Sequence, residues 1–437
     1  MTKAEKKIRK GEQAIMKQVL VQKQKMPEGW KVISLGEIGN FLRGPFGSSV
    51  QKSVCVLKGK YTYKLYEQGN VINNDFLRGD YYLTKEKFYQ LEKFEIKTDD
   101  ILMTCAGTLG KITIVPEGIE KGIINSVLMR IRLNQSLILN KYFIYLFKSP
   151  AFQNKVISQS SGAGIKNLFA TKELKKYKII LPPLPVQQQI VAKLDAQMAQ
   201  IEIMKKEAEK EKEASEDMLN SFLDEIVFSD LIDKYEEIPL KKILKVKGGF
   251  AFKSGEFSDE GIPVIKIANV TNKNIDWSEK SFLPKQYLKN YSNFKIEKGD
   301  ILVGMTRPVT KSKVKVAVYE EEYPSLLNQR VGKLEYDSNK IYRDYLLYAV
   351  YSPRIRLEFE KKSSASQQPN ISPAQIESIK IMLPPLEIQE EIIKKINNIN
   401  LLFEIISLNI NQKLSAISLL PSSILNEVFG KYKIPSN

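Results

Sequence analysis

The stretch Lys178-Ile179-Ile180-Leu181-Pro182-Pro183-Leu184, followed by Gln187, Ile190 and Lys193, returns 202 residues later. There it reads Lys380-Ile381-Met382-Leu383-Pro384-Pro385-Leu386, followed by Gln389, Ile392 and Lys395. Working upstream, Ser149-Pro150 matches Ser352-Pro353, Asp100-Ile101-Leu102 matches Asp300-Ile301-Leu302, and Gly44-Pro45-Phe46 matches Gly248-Gly249-Phe250. The offsets drift only between 200 and 204, so the chain is a duplication with small loop insertions. A period near 200 is too long for a solenoid repeat; each unit is a domain plus a helical segment.

The periodicity places the boundaries. Residues 27–186 and 238–386 are rich in alternating runs bounded by Gly, Pro and Asn, such as Lys111–Val115, Met129–Leu133, Val264–Ile267 and Lys313–Val318, which read as strands. Helical patches intervene at 141–147 and 342–351, so these two domains are mixed α/β. After each Pro-Pro the apolar spacing changes to about 3.5. The stripe is Ile190, Leu194, Ile201, Met204, Ala208, Met218, Phe222 and Ile226 in 187–237. In 387–437 it is Ile392, Ile396, Ile399, Phe403, Ile406, Ile410, Ile417 and Ile424. Such spacing predicts two long helices that pair as an antiparallel, coiled-coil-like rod, the first from about Gln187 to Phe228. Pro421 is expected to kink or interrupt the second. Residues 1–26 read as a basic helical extension.

The 437 residues, 43% apolar and 27% charged, are ordinary for two or three globular domains. No apolar run reaches the length of a membrane span, and the Lys-rich start lacks a signal-peptide core. Cys55 and Cys105 are the only cysteines, so no disulfide framework is expected and a cytoplasmic setting is the default. The chain has no histidine, which removes Ser-His-Asp and Cys-His catalysis and His-ligated zinc. The net charge of +17 is unevenly spread. Residues 27–186 carry +10 and 238–386 carry +9, whereas 187–237 hold 6 basic residues against 14 acidic ones. Two basic blocks separated by an acidic one suggest a polyanionic partner, with nucleic acid ahead of a membrane surface.

Catalytic machinery is sparse. There is no P-loop, and Gly107-Thr108-Leu109-Gly110 lies between two strands rather than at a strand-to-helix junction. The Pro-Pro motifs lack the neighbouring Asn or Asp and aromatic residue with which amino-methylating enzymes hold a base. One nuclease-like spacing, Asp80 with Glu95-Ile96-Lys97, keeps open a stand-alone metal-dependent nuclease; Asp344 with Glu360-Lys361-Lys362 is an equally loose match. A further alternative is a coiled-coil scaffold whose basic domains bind RNA or other polyanions.

For DNA, the matching loops are the informative places. Arg43, Phe46 and Ser48 in one domain match Lys247, Phe250 and Lys253 in the other, around glycines that would let backbone amides approach phosphate. Lys166 and Asn167 correspond to Gln367, Gln368 and Asn370, side chains able to bond base edges. After the two Asp-Ile-Leu strands come Thr104, Thr108 and Lys111, against Thr306, Arg307, Lys311 and Lys313. The strand frames agree and the loops differ, as expected for two readers of different half-sites.

These features together resemble the specificity subunit of type I restriction–modification systems. The resemblance rests on Asp100-Ile101-Leu102 through Gly107-Thr108-Leu109-Gly110-Lys111 with Ile114-Val115-Pro116, on both Leu-Pro-Pro-Leu segments with Gln187, Gln188, Ile190, Gln389 and Ile392, and on Ser422–Phe429. It spans nearly the whole chain and implies the following. Residues 27–186 and 238–386 are target-recognition domains, each reading half of a split site in double-stranded DNA, and 187–237 and 387–437 are helical spacers fixing the gap. The subunit is non-catalytic and holds no cofactor. It directs two modification methyltransferase subunits and ATP-dependent restriction subunits, so S-adenosylmethionine, ATP and Mg are expected in those partners.

Overall fold

The computed structural model describes residues 27–46, 49–158, 171–363 and 368–431; the basic extension 1–26 lies outside them. The chain divides into two compact units, one built on residues up to Lys206 and from Leu414 onward, the other on Glu207–Lys413. The divisions fall inside the two long helices. Each unit is therefore one domain, the first part of the helix that leaves it, and the last part of the other helix.

In the first unit, Gly39–Arg43, Leu128–Leu133, Ile101–Thr104 and Ile112–Ile114 form a four-stranded antiparallel sheet in that order. The Ile101–Thr104 strand is buried on both faces, which is why the motif reads as an unbroken apolar run. Ile101 and Met103 enter one core with Phe41, Ile131 and Phe143, while Leu102 enters a second with Leu65, Val115 and Ile123. That second core lies under a three-stranded sheet of Tyr82–Leu83, Tyr63–Tyr66 and Gly122–Ile124. Asp100 ends the approach turn: its carboxylate accepts the Lys97 amide at 2.8 Å and pairs with Arg132 at 2.6 Å.

The second unit repeats this plan. Leu244–Gly248, Val331–Tyr336, Ile301–Gly304 and Val316–Val318 form its four-stranded sheet. Asp300 accepts the Glu297 amide at 2.8 Å and pairs with Lys333 at 2.7 Å. Lys295–Ile296 adds a fourth strand to the smaller sheet, and the expected run 313–318 is split, Lys313–Val314 pairing instead with Val309–Thr310 as a hairpin.

Each domain is closed by its own ends. Lys31–Ser34 pairs antiparallel with Lys178–Leu181, and Glu237–Pro239 with Lys380–Met382. The Pro-Pro follows, directly after Leu181 in the first domain and after Leu383 in the second, and the shared glutamine then docks the helix. Gln187, fully buried, accepts the Leu139 amide at 3.0 Å and donates to the carbonyls of Leu137 and Pro182, both at 2.8 Å. Gln389 accepts the Tyr342 amide at 2.9 Å and donates to Lys340 at 3.0 Å and Pro384 at 2.8 Å. Leu139 and Tyr342 are N-cap residues, so each glutamine satisfies an amide at the helix entry of its own domain.

The helices run Leu184–Asp224, followed by a π-helical turn at Glu225–Ser229, and Leu386–Phe429. The second is not interrupted at Pro421, which sits between buried Ile417 and Leu425; packing there outweighs the lost hydrogen bond. Two stripe positions also need correction. Met218 is 55% exposed and Ile406 41% exposed; half-buried Leu219 and Ser407 point inward instead. The inward steps Ile396, Ile399, Phe403, Ser407 contain two successive fours, an 11-residue spacing that a strict heptad reading misses. Within the second unit, Glu211 pairs with Lys413 at 2.8 Å, Phe222 meets Phe403 with ring centroids 6.2 Å apart, and Asp230 pairs with Lys395 at 3.4 Å. Among the described residues no helix is long and apolar enough to cross a membrane.

Candidate nucleic-acid interface

Strand direction brings the candidate loops together. Arg43 and Thr104 end their strands opposite Met129 and Leu128, where the strand Leu128–Leu133 begins. The loops after Arg43 and Thr104, and the loop before Leu128, thus share one end of the sheet. Hydrogen bonds lock them: Gly44 N–H to Leu128 O at 2.9 Å, Cys105 N–H to Val127 O at 2.7 Å, and Arg43 Nε to Ser126 O at 3.3 Å. In the second domain Gly249 N–H donates to Val331 O at 3.1 Å and Met305 N–H to Arg330 O at 2.9 Å. Ile371 N–H donates to Met305 O at 2.9 Å, which adds the 368–371 segment to the same end.

These bonds shift the sequence alignment by one residue. Gly44 corresponds to Gly249, not to Gly248, and Phe250 corresponds to Pro45 rather than to Phe46. The two glycines are explained by packing rather than by phosphate. A Cβ on Gly44 would lie 1.9 Å from Asn125 O, and one on Gly249 would lie 2.3 Å from Asn328 O. Backbone crosses backbone there, and only glycine fits.

Several candidates are committed inward. Thr104 is fully buried, its hydroxyl donating to Thr108 O and accepting the Lys111 amide at 3.0 Å. Thr306, also buried, donates to Asn370 Oδ1 at 2.6 Å. Both shape their loops and present nothing outward. Phe250 packs on Phe252, Tyr291 and Phe294 at 4.7–5.3 Å and belongs to a core rather than to a stacking surface. Lys247 pairs with Glu335 at 3.5 Å, and Lys313 with Glu216 of the central helix at 3.1 Å, which turns both from the loop end. Arg43 supports the neighbouring loop through Ser126.

Exposed at the loop ends are Phe46 (89%), Thr108, Lys111, Lys253, Arg307, Lys311, Gln368 and Asn370. Ser48, Lys166, Asn167 and Gln367 lie outside the described residues. Sequence reasoning missed the third loop, where Gln329 and Arg330 are exposed and Arg330 O accepts the Met305 amide just past the end of the Ile301–Gly304 strand. The matched Asn125 and Asn328, at the same 203-residue offset as Ser149 and Ser352, could have revealed it. A second missed pair is Asn70 and Asn269. Each is buried, accepts an amide three residues back (Glu67 at 2.7 Å, Lys266 at 2.9 Å), and donates to two carbonyls of the loop that follows.

The electrostatics are those of crowded cations. Burial, and then the charge of Arg307, holds the Lys315 ammonium below its usual range. Lys148 is lowered likewise by burial and then by Lys111. Burial pushes the Cys105 thiol up to about 12, so it is no nucleophile. Glu95 of the nuclease-like spacing pairs with Lys121 at 3.7 Å, and Lys97 gives its amide to Asp100. Among the described residues no three acidic or cysteine side chains gather as a metal site.

One fold present twice, with a shared frame and divergent cationic loops at the same sheet end, is the architecture of a two-part recognition protein. The chain belongs to the type I restriction modification DNA specificity domain family, whose model matches residues 27–212 and 232–416. It is 28% identical over 398 residues to the type I restriction enzyme MjaVIII specificity subunit of Methanocaldococcus jannaschii, covering 87% of this chain and 88% of that one. It is 23% identical to the EcoKI specificity subunit of Escherichia coli K12, covering 93% and 89%. Among solved structures, a chain from a study of complex assembly and conformational transition of the type I R-M system superposes with a TM-score of 0.62 at 19% identity. The match covers 93% of this chain and 98% of that one, and speaks to the fold.

Proposed function

We propose that this chain is the DNA-recognition subunit of a type I restriction–modification complex, with each domain reading one half of a split site. The observation that carries this reading is the convergence of three loops at one sheet end in each domain, on conserved internal frames but with different side chains. Lys and Arg at these ends supply salt-sensitive affinity, with roughly 0.9 in log–log slope per phosphate neutralised. Side chains on base edges add about 1–3 kcal/mol per good bidentate pair. The two long helices pair antiparallel as a spacer, a reading supported by the contacts of Glu211, Phe222 and Asp230 with Lys413, Phe403 and Lys395.

The subunit itself performs no chemistry. It directs two methyltransferase subunits, which bring S-adenosylmethionine, and restriction subunits, which bring ATP and Mg. Leu401, Leu402, Ile405 and Leu408 are exposed on the C-terminal helix, and such a cluster supports a protein partner on that helix. The test is co-expression with the cognate methyltransferase in a methylation-free host, followed by mapping of methylated adenines. A split motif modified only when both proteins are present is the expected result. Methylation by this chain alone, or a Mg-dependent cut by the purified chain that Glu95→Ala abolishes, would contradict it.

A further inference from the structure

The loop that follows the Ile301–Gly304 strand is held in an uncommon backbone conformation. Arg307, Lys311 and Ser312 have φ of 46°, 48° and 57°, in the left-handed region that disfavours residues with a Cβ. The first domain meets the same need with glycine. Cys105 and Met305 correspond, since each donates its amide to the loop before the Leu128–Leu133 or Val331–Tyr336 strand (Val127 O at 2.7 Å, Arg330 O at 2.9 Å). Counting two residues on, Arg307 stands where Gly107 stands, and Gly107 has φ 66°. Lys311-Ser312 is the two-residue turn of the hairpin formed by Val309–Thr310 and Lys313–Val314, where both residues need positive φ and Asn-Gly is the favoured pair.

The strained position is clamped. Arg307 donates its amide to Pro369 O at 2.7 Å, Thr306 bonds Asn370, and Ile371 bonds Met305. The main chain at Arg307 is thus fixed against a neighbouring segment while its side chain stays exposed. Mere charge would not require this, because Lys311 and Lys315 already stand in the same loop and a phosphate contact tolerates a mobile side chain. A fixed origin matters for a planar fork that must meet two acceptors in one plane. Guanine offers that pair, O6 and N7, on its major-groove edge.

We propose that Arg307 is a specificity-determining residue that reads a guanine in the half-site bound by the second domain. The inference rests on the DNA-recognition reading above and assigns one side chain of it to one base. Lys315, crowded by the Arg307 charge, and Lys311 serve as phosphate contacts flanking it.

Two variants of the full chain, each assembled with its cognate methyltransferase, test this: Arg307→Lys, which keeps charge and loses the fork, and Arg307→Gly, which also relieves the backbone. The methylated motif is mapped and the salt dependence of DNA binding measured alongside wild type. Both variants should relax a single G·C position in one half-site, by about 5- to 100-fold in discrimination, and leave the other half intact. Arg307→Lys should keep the wild-type salt slope, and Arg307→Gly should melt no lower than wild type. An unchanged motif with uniformly weaker binding, and a slope reduced by about one in Arg307→Gly, would overturn the assignment in favour of a phosphate contact. Relaxation at an A·T position would overturn the choice of guanine. A wild-type chain that directs no split motif would overturn the recognition reading itself, separately from Arg307.

Discussion

The two domains are alike where backbone must be satisfied and different where side chains face outward. Asp100 and Asp300, Asn70 and Asn269, Gln187 and Gln389, and Gly44 and Gly249 make the same bonds or the same close approach in both. The loop after the Asp-Ile-Leu strand differs. In the first domain it is short and turns on Gly107 and Gly110; in the second it is four residues longer and turns on Arg307, Lys311 and Ser312. The outer edge of the smaller sheet differs in sign. Val56 and Ser258 make equivalent bridges to Tyr82 and Phe282, so Leu57-Lys58 in the first domain holds the place of Asp259-Glu260 in the second. Leu77-Arg78 likewise holds the place of Ser278-Glu279. An edge that is basic in one domain and acidic in the other is no shared phosphate surface. Exposed cations shared by both domains stand instead at the loop-bearing end of the larger sheet, as Lys111 in the first and Lys253, Arg307 and Lys311 in the second.

The largest effect is expected from seven-residue helical insertions made together after Lys212 and after Lys413, which keeps the two helices in step. They add about 10 Å at 1.5 Å per residue, or roughly three base pairs. Modification at the original motif should vanish and reappear with a wider gap between unchanged halves, as sequencing of methylated DNA would read. An altered half-site with the original gap would refute the spacer reading. Next, Gln187→Ala and Gln389→Ala should each destabilise their own unit by about 2 kcal/mol in denaturant titrations, because each leaves an amide and two carbonyls without their partner, the carbonyl of Pro182 or Pro384 among them being buried. Unequal losses would show that the two clamps are not equivalent. Gly44→Ala and Gly249→Ala should each cost about 1–3 kcal/mol through the forced shift of facing backbone, with the same test. The smallest effect belongs to the sheet edge. Replacing Lys58 and Arg78 by glutamate, the charge their counterparts carry, should leave the methylated motif unchanged and alter the salt slope of DNA binding by less than one. A larger drop would place that edge on DNA.

Much of the frame was legible because it depends on local chemistry. The Asp-Ile-Leu strand reads as apolar because both its faces are buried, and the Pro-Pro-to-glutamine spacing marks a strand end followed by a docked helix. The family followed from those pieces in register. The helix stripe was legible except where polar residues fill the seam: Ser407 points inward and Ile406 outward, and hydropathy cannot signal that exchange. The candidate interface was legible as loops and poorly legible as side chains. Whether a threonine bonds inward, as Thr104 and Thr306 do, depends on strand ends brought together from residues far apart in sequence. The one-residue error that paired Phe46 with Phe250 has the same origin, since the true correspondence is set by which glycine crosses the facing strand. The strain at Arg307 is invisible in sequence, because nothing in the letters says that it occupies the place of Gly107.

Two independent readers built on one frame should be interchangeable. Both are closed by the same antiparallel ribbon, so residues 237–382 can be replaced by a copy of 31–181 with the flanking helices kept. Mapping the adenines methylated under the direction of that chain tests the claim most directly. The account predicts a symmetric split motif, the half read by the first domain appearing twice in inverted order. A folded, methyltransferase-bound chain that still directs the original asymmetric motif would contradict it.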